Sequence, residues 1–417
     1  MNNIEIMSPA GNFEALSAAI QGGAQSVYFG VGELNMRSHS ANNFSREDLQ
    51  EIVDRCNAAG VKSYLTLNIV LYDDDIPAME KTVDDALKAG VSAVIASDMS
   101  AILYARKVGM EVHISTQLNI SNYASVKYHA QFADVMVLSR ELNLNQIRAI
   151  SDSIKRDALK GPSGELVRLE LFCHGALCMA VSGKCYLSLH ETGASANRGS
   201  CYQICRRGYE VTDVETNRTL LVDNKYIMSP KDLSTIEFLD KIIDAGVTVL
   251  KIEGRARSAD YVKTVTAAYK KGIDALFSGT YSDELKIQLK DEVARVFNRG
   301  FWDGYYQGAR LGEWSDVYGN KATKRKYYAG KVTNFFDKLG VAEVLVETGE
   351  IALGDEILIM GPSTGVIEIT VSEIRVDLKP VERAVKGEYC SIPVNQDIKL
   401  RRSDKIYIWR DVTKDAR

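Results

Sequence analysis

Short apolar runs alternate with helix-like amphipathic stretches over the first two-thirds of the chain. Eight runs predict β-strands: IEIMS (4–8), SVYFG (26–30), KSYLTLNIV (62–70), AVIAS (93–97), EVHIST (111–116), VMVLS (135–139), RLELFCH (168–174) and VLKIEG (249–254). These runs lack strict polar–apolar alternation, which favours parallel strands that are covered on both faces. Eight βα units over about 250 residues fit an α/β fold, a (β/α)8 TIM-like barrel. A doubly wound open sheet is the alternative.

Two parts of the chain depart from this repeat. An insertion at about 175–233, after the seventh strand, is rich in cysteine and includes a predicted β-hairpin at 210–226. Beyond about residue 320, short alternating runs separated by Gly and Asp predict an all-β domain, most simply a small barrel. We therefore predict a TIM-like domain over 1–320 and a C-terminal β-barrel domain over 326–417.

Polar side chains follow the predicted strands, where loops of such barrels form the catalytic face. Those that we select as candidates for binding or catalysis are Asn68, Gln117, Asn119, Arg140, His174, Glu253 and Arg255. His174 and Glu253 are the candidates for moving protons or orienting substrate, because an imidazole can titrate near neutral pH. A hydrogen-bonded structural histidine is an equally valid interpretation of His174.

Four cysteines of the insertion predict a metal site. Six residues separate Cys178 from Cys185, fifteen separate Cys185 from Cys201, and three separate Cys201 from Cys205. Four thiolates can bind zinc or a [4Fe–4S] cluster, but these spacings match neither the usual zinc knuckles nor a ferredoxin. The spacing leaves the metal open, and buried cysteines without metal remain the simpler alternative.

Arginines cluster in and after the same insertion. Arg198, Arg206, Arg255 and Arg257 are candidates for phosphate or carboxylate recognition, because a guanidinium offers paired donors to such groups. Pairing with nearby carboxylates is the competing interpretation. A basic linker with Lys321, Lys324, Arg325 and Lys326 is a second candidate for nucleic-acid contact, although a solvated loop has the same composition.

Composition sets limits on the class of protein. The chain has 417 residues, of which 46% are hydrophobic and 25% charged, as in globular proteins. We expect a cytoplasmic protein with no membrane contact, because we find neither a run of about 18 apolar residues nor a secretory signal. Seven cysteines in a reducing compartment favour metal binding or catalysis over disulfides. A net charge of −4 excludes a surface that is positive throughout, but not a local basic patch.

Familiar hydrolase and nucleotide motifs are missing from the sequence. We find no H-E-x-x-H, no G-x-S-x-G, no P-loop and no G-x-G-x-x-G after a strand. Cysteine–histidine catalysis stays open, because His174 lies close in sequence to Cys173 and Cys178.

Several longer motifs carry a family resemblance. They are MSPAGNFEAL, STQLNISN, SRELNL, ELFCHGALCMAVSGKCYLS, ANRGSCYQICR and SPKDL…KIEGR, in this order over about the first 300 residues. They resemble peptidase family U32, the collagenase-like proteases, and look most similar to the branch that forms 5-hydroxyuridine at the wobble position of tRNA.

The resemblance implies a tRNA-modifying hydroxylase linked to iron–sulfur chemistry and to prephenate. By the same resemblance Cys178, Cys185 and Cys201 match cluster ligands, and Cys205 is our choice for the fourth. The expected partners are tRNA and a second U32 family member. Two alternatives stay open: a peptidase, as the family name says, and a non-catalytic RNA-binding subunit that uses the metal only as a structural staple.

Overall fold

A closed barrel of parallel strands forms the larger part of the chain. The computed structural model describes residues 4–39, 43–210, 212, 214–216, 226, 228–309, 311–316, 319–394 and 398–412. The first ten strands are β1 (Glu5–Pro9), β2 (Ser26–Phe29), β3 (Lys62–Leu67), β4 (Ala93–Ala96), β5 (Val112–Ile114), β6 (Val135–Val137), β7 (Arg168–Gly175), β8 (Asp232–Ser234), β9 (Val249–Ile252) and β10 (Phe301–Trp302). Strands β1 to β7 pair in sequence, and β9 closes the ring in parallel with both β7 and β1. The predicted eight-stranded barrel is therefore confirmed.

Helices surround the barrel and connect its strands. Their bounds are α1 (Phe13–Gln21), α2 (Leu49–Ala58), α3 (Ile76–Ala89), α4 (Met99–Lys107), α5 (Tyr123–His129), α6 (Leu144–Arg156), α7 (Leu187–Thr192), α8 (Leu239–Asp244), α9 (Ala259–Ser278) and α10 (Asp283–Ala294). Local sequence fixes several starts. The Asn12 side chain accepts the Ala15 N–H at the start of α1, and Asn143 forms a capping box with Gln146 at α6.

The insertion after β7 is confirmed, and it holds the cysteines over the barrel mouth. Within it, α7 is followed by two short 3-10 turns, and β8 runs antiparallel to β7, with Ser234 opposite His174. The hairpin that we predicted at 210–226 falls largely outside the described residues. Helix α8 then leads into β9, so the chain returns to the barrel only at Val249.

Two kinds of packing stabilise the barrel. Most apolar side chains of the strands and helices form one core between the sheet and the helices. A much smaller apolar cluster fills the inside of the barrel: Met7, Tyr28, Tyr64, Ala93, Ile95, Val135 and Val249. Charged side chains of β1, β5, β7 and β9 share that interior, including the fully buried Glu170. The apolar runs of the sequence predicted the outer core but not this charged interior.

The C-terminal region is antiparallel and all-β, as predicted. Its strands are β11 (Lys324–Phe336), β12 (Val341–Val346), β13 (Glu350–Ala352), β14 (Glu356–Gly361), β15 (Gly365–Thr370), β16 (Arg375–Val376), β17 (Lys379–Pro380), β18 (Arg383–Val385), β19 (Tyr389–Pro393) and β20 (Lys405–Asp411). Eight of them pair in the order β15-β14-β20-β11-β12-β19-β16-β17, and β13 pairs with β18. Their inward side chains form a separate core.

The C-terminal region packs directly on the barrel. The Gln21 amide of α1 donates to the Thr364 carbonyl at 2.6 Å, and Lys326 of β11 forms an ion pair with Asp260 of α9. Apolar side chains at this contact, including Met360 and Trp409, join the barrel core. The domain limits 1–320 and 326–417 stay a prediction. Among the residues described, no helix is long and apolar enough to cross a membrane.

Candidate functional site

A cavity of about 360 Å³ lies at the carboxyl end of the barrel strands, beneath the cysteine-rich insertion. Eleven of the residues selected from the sequence line it: Asn68, Gln117, Arg140, Cys178, Cys185, Cys201, Cys205, Arg206, Glu253, Arg255 and Arg257. They come from strand-end loops and from the insertion, which are far apart in the chain. The closure of the barrel therefore brings the predicted rim and the cysteines into one site.

The four thiols of the insertion share this cavity and affect one another electrostatically. Burial raises the pKa of Cys205, the charge of Arg206 opposes this effect, and negative charge on Cys178, Cys201 and Cys185 adds to it. Cys178 is accessible to water within the cavity, yet protein surrounds it. Burial alone would raise the pKa of Cys178, but the guanidinium groups of Arg140 and Arg37 outweigh that effect and lower it. The thiolate of Cys178 is therefore stabilised by its surroundings.

Hydrogen bonds from the rim hold the loop that carries Cys178. Arg140 Nη2 donates to Ser182 Oγ at 3.0 Å, and its guanidinium stacks on the Phe172 ring at 5.0 Å. Asn119 Nδ2 donates to the carbonyls of Gln117 and Ser182, at 2.8 and 3.1 Å. Asn119 does not line the cavity, so its contacts describe a side chain that positions the loop rather than one that meets a ligand.

Glu253 lies at the wall of the cavity as part of an ion pair. Its Oε1 accepts from Arg37 Nη2 at 2.9 Å, and its Oε2 accepts from the Tyr28 hydroxyl at 3.3 Å. Burial would raise the pKa of the Glu253 carboxyl, but the charges of Arg37 and Arg255 lower it. Glu253 is therefore a carboxylate near neutral pH, suited to accepting hydrogen bonds.

Three of the predicted anion-binding arginines line the cavity but already have protein partners. Arg206 donates to the carbonyls of Pro230 and Leu177, at 2.7 and 2.6 Å. Arg255 donates to Thr66 Oγ1 at 2.6 Å and to Asn35 Oδ1 at 2.7 Å. Arg257 stacks on a phenylalanine ring at 3.6 Å. Their positive charge still faces the cavity, although few of their donors are uncommitted.

Besides Asn119, two predicted site residues lie outside the cavity. Arg198 forms an ion pair with Asp75 at 2.7 Å and stacks over the Tyr72 ring at 4.0 Å, next to a separate surface pocket. His174 is 1% exposed and packs among aromatic rings, and burial lowers its pKa to about 3. That pKa contradicts our expectation that His174 titrates near neutral pH. Its predicted catalytic role has no support from this position.

Sequence reasoning missed two charged residues of the cavity. Arg37 follows β2 in a loop without a recognisable motif, and only the folded chain places it beside Glu253. Lys251 lines the cavity floor, where its Nζ donates to Glu170 Oε1 at 2.7 Å. A lysine inside the apolar run VLKIEG was a signal that could have identified it, because an unpaired buried ammonium is costly.

The chemistry of the donor set fits a metal group bound by thiolates. Four sulfur atoms line one cavity, and the guanidinium groups of Arg37, Arg140 and Arg206 supply positive charge that would offset thiolate ligands. Across the described ranges, no three His, Cys, Asp or Glu side chains are close enough to form a metal site as they stand. Binding would therefore require the insertion to draw the sulfurs together.

Known proteins resemble this chain over most of its length. A "Collagenase" of Porphyromonas gingivalis is 57% identical over 98% of both chains. A tRNA hydroxylation protein of Bacillus subtilis is 32% identical over 86% of this chain and 83% of its own length. A 23S rRNA 5-hydroxycytidine synthase of Escherichia coli is 36% identical over 75% of this chain and 46% of its own length. The family description "Peptidase family U32" matches residues 11–316, and the chain therefore belongs to peptidase family U32.

Proposed function

We propose that this protein is an RNA-modifying enzyme that hydroxylates C5 of a pyrimidine, the wobble uridine of tRNA. The observation that carries the proposal is the set of four thiols at Cys178, Cys185, Cys201 and Cys205 around one positively charged barrel cavity. Relatives named for tRNA hydroxylation and for rRNA 5-hydroxycytidine synthesis support RNA as the substrate class. The first name states hydroxylation of tRNA, and the second names a pyrimidine nucleoside hydroxylated at C5.

The proposal includes a [4Fe–4S] cluster on these four cysteines. When bound, such a cluster supplies one-electron chemistry. The side chains around it would orient the substrates: Glu253 accepts hydrogen bonds, and Arg37 and Arg140 attract anions. Prephenate, a carboxylated small molecule, is our candidate co-substrate, because its carboxylates match that positive charge. Zinc is the alternative metal.

Contacts with the body of the tRNA have weaker support. Of the four basic linker residues, three form ion pairs: Lys321 with Asp316, and Lys324 and Lys326 with partners elsewhere. An ion-paired lysine releases fewer counterions from RNA than a free one. We therefore assign substrate recognition to the cavity and treat the linker as a secondary surface. We propose that a second U32 family protein supplies further contacts.

A peptidase is the second candidate, favoured by the identity to the Porphyromonas "Collagenase" and by the lowered pKa of the Cys178 thiol. A cysteine nucleophile normally needs an adjacent base. All five histidines fall in the described ranges, and none of them lines the cavity. The geometry therefore supports hydroxylation better than hydrolysis. A metal-stapled RNA-binding subunit is the third candidate.

Nucleoside mass spectrometry of separated tRNA and rRNA from a deletion strain tests the proposal. We expect loss of 5-hydroxyuridine derivatives from tRNA, with restoration by the wild-type gene but not by Cys178→Ala or Cys201→Ala. Cys390→Ala is the matched control, because Cys390 is a buried thiol of the C-terminal core. Unchanged hydroxylated nucleosides, in a strain without a redundant enzyme, would refute it.

The same variants separate the other candidates. Gelatin digestion by purified wild-type protein, lost in Cys178→Ala, would support the peptidase. RNA binding that needs all four cysteines, with no modified product, would support the structural staple.

A further inference from the structure

A row of ionisable side chains runs through the inside of the barrel, below the cavity. Lys251 Nζ lies 2.7 Å from Glu170 Oε1, and Glu170 Oε2 lies 3.9 Å from His113 Nδ1. The His113 Nε2 atom lies 3.2 Å from Glu111 Oε1. The side chains of Glu170 and His113 are fully buried. The row passes from β9 through β7 to β5.

The two ends of the row meet different surroundings. Lys251 lines the floor of the cavity, where its ammonium also lies over the Tyr28 ring at 4.7 Å and the Phe172 ring at 5.6 Å. Glu111 precedes β5 at the amino end of the barrel, and its side chain is 44% exposed. The row therefore connects the cavity floor with solvent at the opposite end of the barrel.

In the middle of the row, two buried atoms have no hydrogen-bond partner among the described residues: Glu170 Oε2 and His113 Nδ1. Buried polar atoms are rarely left unpaired, because each costs about 1–3 kcal/mol. When His113 Nε2–H donates to Glu111, His113 Nδ1 carries a lone pair and faces a carboxylate oxygen. One proton on either atom would make a donor–acceptor pair, and the 3.9 Å between them must shorten by about 1 Å for that pair to form a hydrogen bond. The arrangement is thus a binding place for a transferable proton.

We propose that Lys251, Glu170, His113 and Glu111 form a proton relay between the cavity and the opposite face of the barrel. Lys251 gives a proton to a group in the cavity and takes one from Glu170. Glu170 takes its proton from His113, and His113 regains one from solvent beside Glu111. The reverse order removes a proton from the cavity. Each transfer breaks one N–H or O–H bond and forms another. His113 receives its proton on Nε2, beside Glu111, and releases one from Nδ1, beside Glu170, so the imidazole must then reorient to restore its starting tautomer.

Other charges near the row are already balanced. The Tyr64 ring stacks against His113 with centroids 4.5 Å apart, and the Tyr64 hydroxyl donates to Glu5. Glu5 in turn pairs with Arg168 at 2.8 Å. These groups form a network beside the row, and the charges of Lys62 and Arg168 also act on Glu111 at its outer end. The gap between Glu170 and His113 is where we place the gain or loss of a proton.

The first test needs no enzymatic activity. ¹⁵N NMR of histidine-labelled protein reports which ring nitrogens of His113 carry protons, and the His113→Gln spectrum identifies its signals. In Lys251→Met, Glu170 loses its cation, so we expect both His113 nitrogens to be protonated. In Glu170→Gln, the new amide can donate to Nδ1, so we expect the proton on Nε2 alone. Lys271→Met, in a surface ion pair with Glu292, is the control and should leave the signals unchanged.

The second test rests on the proposed function. In the complemented deletion strain we expect His113→Gln to lower the modified nucleoside fraction by about tenfold or more, within the range of acid–base catalysis. His129→Gln, a histidine on the outer helix α5, should have no effect. Absence of product from the wild type would refute the proposed function and leave the NMR test to decide on the relay. Identical His113 signals in wild type, Lys251→Met and Glu170→Gln would overturn the relay, as would full activity of His113→Gln.

Discussion

The buried carboxylate of Glu5 gives a quantitative prediction about stability and pH. Its two oxygens accept from Arg168 Nη1 at 2.8 Å and from the Tyr64 hydroxyl at 2.7 Å, inside the amino end of the barrel. Burial would raise the pKa of Glu5, but Arg168 and these hydrogen bonds lower it from 4.5 to about 2. A difference of this size corresponds to about 3 kcal/mol of folding free energy at neutral pH.

The sign follows from the direction of that change. A carboxyl with a lowered pKa in the folded state contributes stability above its unfolded pKa, and this stability is lost as the pH falls from 4.5 towards 2. We therefore expect Glu5→Gln to lower the free energy of unfolding by about 3 kcal/mol at pH 7. The variant should also lose less stability than the wild type between pH 4.5 and pH 2.

Urea unfolding across a pH series, followed by circular dichroism, measures both effects. Glu237→Gln is a matched control, because Glu237 pairs with Lys290 at 2.9 Å on the surface, where both side chains are nearly half exposed. Such a pair contributes less than about 1 kcal/mol. The reasoning is refuted if Glu5→Gln is as stable as the control at neutral pH and keeps the acid sensitivity of the wild type.

Two further predictions concern the loop over the cavity. Arg140→Met should raise the pKa of Cys178 and so slow the alkylation of this thiol by iodoacetamide at neutral pH. Mass spectrometry of the metal-free protein measures the alkylation rate. An unchanged rate would contradict the conclusion that Arg140 lowers the pKa of Cys178. Gly175 has a φ of +105°, and a Cβ there would lie 2.2 Å from the Glu253 carbonyl oxygen, so Gly175→Ala should cost at least about 3 kcal/mol in urea unfolding. Gly279→Ala, with a φ of +73° and open space around its Cβ, should cost only about 1 kcal/mol, and equal costs would show that the close contact is unimportant.

The relatives of this chain carry names from two kinds of chemistry, and the cavity bears on the choice between them. A cysteine hydrolase needs its thiol in contact with a base, whereas the lowered-pKa thiol of Cys178 is surrounded by guanidinium groups and by three other thiols. That environment stabilises negative charge on sulfur, which suits metal ligation. The prediction for Cys178 therefore tests whether the cavity stabilises negative charge on sulfur, and the proposed function depends on that stabilisation.

Local patterns in the sequence were sufficient to predict the barrel strands. A strand covered on both faces must be apolar along its length, and eight apolar runs in the sequence meet this requirement. The cysteine cluster was also predictable as a site, because its four members lie within one insertion and the barrel geometry places that insertion at the catalytic end. The start of α1 at Asn12 was also predictable, because the capping side chain bonds to a backbone N–H only three residues away.

Only the tertiary structure determined which polar side chains reach the cavity. From the sequence there was equal reason to select Arg198, His174 and Arg140 as site residues. In the structure, Arg198 pairs with Asp75 at the surface, and His174 is enclosed by aromatic rings. The pairing of Arg37 with Glu253, and the position of Lys251 below the thiols, depend on contacts between residues far apart in the chain. The sequence by itself determined the strands and the collection of thiols, because each depends on neighbouring residues. The closure of the barrel determined the charges that surround those thiols, because electrostatic interactions depend on distance in space.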